Sequence, residues 1–238
     1  YGDPRYLHSS PTRRSSDLYD GINYKEIPTI YPPLAQGIFA LGAALDGGTM
    51  GVRLLMIGLD VAVLLVLARL LGAFGLPEGR LLIYAACPLP FVEVASSGHV
   101  EPLGILALLL MIGAVGEHSP RRAGLFWGAA CLGKIGPLVL GPILARRAGG
   151  RALLWGAAAL VAGLAPFAIT ATPLVASLSE YGRRWRAHGL LFEVLDAGLR
   201  WCGVAADLSH HVARGIGAAL LVVVIAIVVL RRRAPVDA

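Results

Sequence analysis

Charge is scarce in this 238-residue chain: Asp, Glu, Lys and Arg make up 15% of it, against about 25% in an ordinary soluble domain. Cysteine is scarcer still. Cys87, Cys131 and Cys202 are scattered, and no CxxC or Cys/His cluster suggests a metal site. No P-loop, GxGxxG, HExxH or nucleophile elbow is present. No internal repeat recurs, which weighs against a transporter built from corresponding halves. The chain has no initiator Met and no signal-peptide pattern. Its net charge of +6 does not point to nucleic acid, because the arginines flank apolar runs instead of forming a polar basic face.

What fills the chain is apolar. Hydrophobic residues make up 56% and the mean hydropathy is +0.69, the composition of a polytopic membrane protein. A spanning helix needs about 20 mostly apolar residues; the candidates are 54–74, 81–94, 103–115, 123–145, 152–171 and 215–230, of which two are short and 123–145 is interrupted by Lys134 and Pro137. The last, "GIGAALLVVVIAIVVL", is followed by "RRR". With Arg231–Arg233 cytoplasmic, residues 172–214 become an external loop and "RRAGGR" (146–151) is internal. "HSPRR" (118–122) is also basic, yet only 123–145 separates the two loops. The conflict is removed if 123–145 is a hairpin of two short helices with "GKIGP" at its external tip, where irregular backbone lines a cavity. Upstream, "SSGHVEP" (96–102) is external and "GLPEGR" (75–80) internal. Pro88 and Pro90 break 81–94 near its top. Residues 34–45 then form a re-entrant or interfacial helix. The expected fold is all-α: a polytopic transmembrane helical bundle with re-entrant and short helices.

Residues 21–238 read as one transmembrane domain. Residues 1–20 read as a non-native or remnant segment. Within it "HSSPTRRSSDL" (8–18) resembles one translated frame of a short-read sequencing adapter, and no function is assigned to it.

This topology gathers the unusual polar residues on the external side: Lys25, Glu26, Tyr31, Arg53, His99, Glu101, Lys134, Tyr181, Arg183, Arg184, Trp185, Arg186 and His188. Ionisable groups at membrane depth are functional suspects. Lys134 needs an anionic partner, which a lipid phosphate would supply; the plainer reading is snorkelling or pairing with a structural carboxylate. His99 and Glu101 share a helix start. They suit proton transfer, sugar hydroxyls or a metal, although the helix dipole alone favours a carboxylate there. "YGRRWRAHG" offers cations for phosphate and aromatics for sugar stacking or interfacial anchoring. Asp60 and Glu93 lie within spans. Asp60 is seven residues from Arg53 on one helix face, where the two can pair, and Glu93 is near a cavity.

"INYKEIPTIYPPLAQGIFAL", "YAACPLPFVEVASSGHVEPLGILAL" and "LGKIGPLVLGPIL", in that order, resemble bacterial polytopic glycosyltransferases of the GT-C superfamily, particularly family 87 and related mannosyltransferases. "SEYGRRWRAHGLLFEVL" resembles their later external loop. The resemblance implies transfer of a hexose, with mannose favoured, from a polyprenyl-phosphate-linked donor to a glycan or lipid acceptor. It places the chain in the bacterial inner membrane as a multi-pass protein, its active site facing the extracytoplasmic side. It also implies a catalytic Asp in a first external loop. No Asp here matches it, so the base is expected upstream of an N-terminally truncated chain. Family patterns often carry Asp where Glu101 stands and Asn near His188, so transfer of roles to those two is weakened. Lys134, Arg183, Arg184 and Arg186 are the expected phosphate-binding groups. Glu26, Tyr31, Glu93, His99, Glu101, Tyr181, Trp185 and His188 are the expected sugar or acceptor pocket. No cofactor is expected, with a divalent metal left open. A transporter or flippase, or a non-catalytic membrane subunit, stands as the alternative.

Overall fold

Proline sets the first helix. Its ring fixes φ near the helical value and it has no N–H to leave unsatisfied in the first turn, so Pro33 opens α1, Pro33–Asp46. Gln36 Nε2 donates back to the Tyr31 carbonyl at 2.8 Å and holds the entry. The computed structural model describes residues 29–46, 49–169, 176–180 and 189–230.

Helix α2, Thr49–Ala73, has 25 residues. At about 1.5 Å per residue it covers ~37 Å, more than the ~30 Å of bilayer hydrocarbon. It crosses α1 where Gly42 meets Val52 and Gly51 meets the Gly42 carbonyl, an approach that side chains would block. Its C-terminus closes on Gly75 at φ +63°, with Leu76 N–H donating to the Leu71 carbonyl, a left-handed cap that suits glycine.

The chain returns through a broken path. Helix α3, Leu81–Ala85, stops because Pro88 disfavours helical backbone in the residue before it; Cys87 is extended. Helix α4, Pro88–Pro90, passes into a π-turn over Phe91–Ser96. Gly98, at φ +72°, then reverses the chain into α5, Glu101–Gly116.

Helix α6, Pro120–Gly133, runs back beside α5. A 3-10 stretch, Gly136–Leu140, and α7, Gly141–Ala148, then fold down against it, with "GKIGP" in the turn. Helix α8, Gly150–Ile169, packs on the other side of α6. The main core lies here: Ala114, Ala123, Trp127, Cys131, Leu144 and Ala152. Small residues make the α6–α8 seam close. A methyl at Gly124 would strike the Ala152 carbonyl, and one at Gly156 would strike the Trp127 ring. Membrane helices associate through such close packing because lipid supplies no hydrophobic drive. The buried indole of Trp127 donates to the Pro137 carbonyl at 2.8 Å, which ties the 3-10 stretch to α6.

Within residues 172–214, expected as an external loop, a helical turn covers 176–180 and α9 spans Leu190–Trp201, while α10 runs over Ala206–Leu230, starting nine residues before the expected Gly215. Several of the polar residues at 207–214 are satisfied within the helical hairpin. Ser209 Oγ donates to Asp196 Oδ1 at 2.6 Å and also lies 2.9 Å from the Ala206 carbonyl. Arg200 Nη2 pairs with Asp196 Oδ2 at 2.8 Å. His210 Nδ1 lies 2.8 Å from Asp196 Oδ1 but off the line of a hydrogen bond.

The described residues contain no strand, and the architecture is an all-α, membrane-type bundle. Three helices are long and apolar enough to cross a bilayer: Thr49–Ala73, Gly150–Phe167 and Ala206–Leu230. Glu101–Gly116 is apolar but shorter. Large apolar side chains such as Leu65, Val161 and Val222 face outward, as lipid-facing surfaces do.

Candidate functional site

The two breaks in the chain create the site. A helix start lies next to a helix end: a methyl on Gly133, the last residue of α6, would touch Leu103 in the first turn of α5. Glu101, the first residue of α5, therefore meets Lys134, which caps α6 in extended backbone. The Lys134 ammonium donates to Glu101 Oε1.

The π-turn supplies the rest. His99 N–H donates to the Glu93 carbonyl at 2.9 Å, so the turn folds His99 over Glu93. His99 Nδ1 then lies 3.4 Å from Glu93 Oε2 and 3.6 Å from Glu101 Oε2. These separations exceed a good N–H···O hydrogen bond, but they leave the imidazole between two carboxylates. Charge at the cluster is nearly balanced: two carboxylates against one ammonium, with the imidazole able to supply a second positive charge.

Glu101 is partly exposed, and one of its oxygens is already held by the Lys134 ammonium.

Glu93, His99 and Glu101 line one end of a cavity of about 630 Å³. The cavity continues along the broken α3–α4 path beside Leu67, Ile83, Tyr84, Cys87 and Leu89 to Arg80. It is a mostly apolar groove with Glu93, His99 and Glu101 gathered at one end and Arg80 farther along, a shape suited to an amphiphile whose polar part carries hydroxyls or an anion.

Several expected site residues lie elsewhere. Tyr31 is not among those lining the cavity; its ring packs edge-on against Phe39 with centroids 5.1 Å apart. Arg53 has its stem beside Gly98, close behind the His99 turn. Asp60 bonds to Tyr84 and not to Arg53: the phenol hydroxyl donates to Asp60 Oδ1 at 2.6 Å. Lys25, Glu26, Tyr181, Arg183, Arg184, Trp185, Arg186 and His188 lie outside the described residues. Sequence reasoning missed Tyr84 and Arg80 in the cavity wall, and it missed the Asp196 cluster. Asp196 and Arg200, four apart on one helix, were a local signal for the last.

Among the described residues no group of three or more His, Cys, Asp or Glu side chains could hold a metal. The cluster has two carboxylates and one imidazole, but its ammonium competes for the same oxygens.

The family model described as glycosyltransferase family 87 matches residues 29–238. No curated protein and no solved structure matches the chain.

Proposed function

The chain belongs to glycosyltransferase family 87, and from that membership we propose that it takes part in moving a hexose, with mannose the leading sugar, from a polyprenyl-phosphate-linked donor to a glycan or lipid acceptor. The proposed setting is the bacterial inner membrane, with the cluster facing the extracytoplasmic side. The single observation that carries the reading is the meeting of Glu93, His99 and Glu101 at the end of an apolar groove, with Lys134 bonded to Glu101 just outside its lining. A lipid-linked sugar has the same division: an apolar chain, then a phosphate, then hydroxyls.

The chemistry balances as follows. An acceptor hydroxyl gives its proton to a carboxylate base, and its oxygen bonds to the anomeric carbon as the bond to the phosphate oxygen breaks. Polyprenyl phosphate leaves with the released negative charge. Lys134 has three N–H donors; with one on Glu101, the others are free to meet that phosphate and stabilise its growing charge. Arg183, Arg184 and Arg186 are proposed to share this work. Glu93, His99 and Glu101 are proposed to hold sugar hydroxyls. Glu101 is not assigned the base role, because Lys134 already donates to its carboxylate. The resemblance assigns that role to an Asp of an external loop. No cofactor is invoked.

The test uses membranes containing the chain and a polyprenyl-phosphate mannose labelled in the sugar, reading donor retention and transfer separately. The proposal expects retention by the wild-type chain and its loss in Lys134→Ala. Equal retention by both, or none by the wild-type chain, refutes the phosphate role.

A further inference from the structure

The opposite end of the bundle carries a second groove, about 410 Å³ in volume, within the range of small-ligand pockets. Its walls come from the end of α2, the last turns of α5, the 3-10 stretch and α7. Phe74, Met111, Ile112, Val115, Leu140 and Ile143 line it. Phe74 and Ile112 are both substantially exposed, so the groove opens sideways. Only one charged residue lines it, Arg147, in the last turn of α7.

Two other arginines at this end are already engaged. Arg122 is paired with Glu117, and Arg121 lies over the Trp155 ring at 4.9 Å. Among the described residues no carboxylate pairs with Arg147. Its neighbour Arg146 adds a second positive charge but does not line the groove.

We propose that this groove binds one anionic phospholipid, with an acyl chain along Phe74, Ile112 and Ile143 and the headgroup phosphate on Arg147. An apolar trough between helices, ending in an uncommitted guanidinium, is the shape of a lipid with a negative head. The adjacent Arg146 disfavours a headgroup that carries its own cation. The site lies at the far end of α5 from the Lys134 cluster, about 24 Å away for 16 residues at ~1.5 Å each. The proposal is independent of the donor site.

The test reconstitutes the chain into nanodiscs of phosphatidylcholine with a minor fraction of phosphatidylglycerol and counts lipids retained on release by native mass spectrometry. The wild-type chain is expected to keep one phosphatidylglycerol against the excess of phosphatidylcholine. Arg147→Gln should lower that retention about fivefold or more, the size of one Arg contact with an anionic lipid. Arg146→Gln should leave it largely intact. Ile112→Trp, which fills the groove and keeps the charge, should also remove the lipid. The proposal is overturned if both arginine variants lose lipid equally, or if phosphatidylcholine and phosphatidylglycerol are kept alike. It is also overturned if Ile112→Trp changes nothing, or if soluble glycerol phosphate displaces the lipid. A thermal midpoint for each variant separates lipid loss from misfolding.

Discussion

Gly128→Ala is the sharpest probe of how α6 is held. A methyl at Gly128 would lie 2.7 Å from Ala159 Cβ and 2.9 Å from the Gly156 carbonyl oxygen. Ordinary contact begins at 3.4 Å, so α6 and α8 must part locally by about 0.7 Å. Neither obstacle is the far end of a flexible side chain, so neither can swing aside. Overpacking of this kind costs about 1–3 kcal/mol. At ~2 kcal/mol the thermal midpoint of a chain this long falls by about 4–8 °C. Two further glycines calibrate the effect. Gly163→Ala meets only the Leu132 side-chain tip, which can rotate, so its loss should be smaller. Gly58→Ala in α2 meets nothing within 4 Å and should be neutral or slightly stabilising, since alanine favours helix by up to ~1 kcal/mol over glycine. The assay is thermal unfolding in detergent, followed by tryptophan emission because Trp127 sits in the seam. Lys134 caps α6, so Gly128→Ala should also weaken retention of the lipid-linked donor. If Gly128→Ala and Gly58→Ala unfold at the same temperature, the close α6–α8 seam is wrong.

Three other outcomes follow from the same geometry. A double-mutant cycle of Glu101→Gln with Lys134→Met should give a coupling of only ~0.2–1 kcal/mol, because both side chains are more than a third exposed. Asp196→Ala removes the acceptor shared by Ser209 and Arg200. Hydrogen exchange should speed up over Leu190–Trp201 and stay unchanged over Pro120–Gly133; uniform change would mean the hairpin is not a separate unit. Trp127→Phe deletes the bond to the Pro137 carbonyl and should lower stability by about 0.5–1.5 kcal/mol; an unchanged midpoint would show that bond to be idle.

Much of this molecule was legible because its strongest signals are local. Apolar runs announced helices. Pro88 announced the break at Cys87, since its effect acts on the residue directly before it. Gly124 and Gly128, four residues apart, lie against α8, a local spacing of the kind that marks close helix packing. The convergence of His99, Glu101 and Lys134 was reached by a longer route, from where the basic loops must sit. The contacts that were missed are those in which a polar residue finds its partner across a helix boundary. Asp60 invited pairing with Arg53 seven residues back, yet Tyr84, twenty-four residues on, holds it. Ser209, ahead of the expected start of the last span, is held by a buried carboxylate thirteen residues back. Hydropathy counts each polar residue as a cost to burial and has no means of seeing the partner that offsets it.

Helix lengths explain why charged groups persist at the Lys134 end. From the turn at residues 117–119, α5 extends sixteen residues and α6 fourteen, or about 24 and 21 Å. Both fall short of the ~30 Å hydrocarbon thickness. If Arg121 and Arg122 anchor that turn at one surface, Glu101 and Lys134 stop roughly 6–9 Å below the other. Helices α2 and α10, of twenty-five residues each, are long enough to rise past that depth. Charge set that deep survives only if it is nearly neutralised in place and reached by water or a polar ligand. Glu93, His99, Glu101 and Lys134 meet the first condition through one another, and the groove beside them provides for the second. A soluble sugar donor has no need of a recessed site opening onto an apolar trough. A donor anchored in the bilayer does, because its phosphate can sink only as far as its chain allows, and this supports the lipid-linked reading.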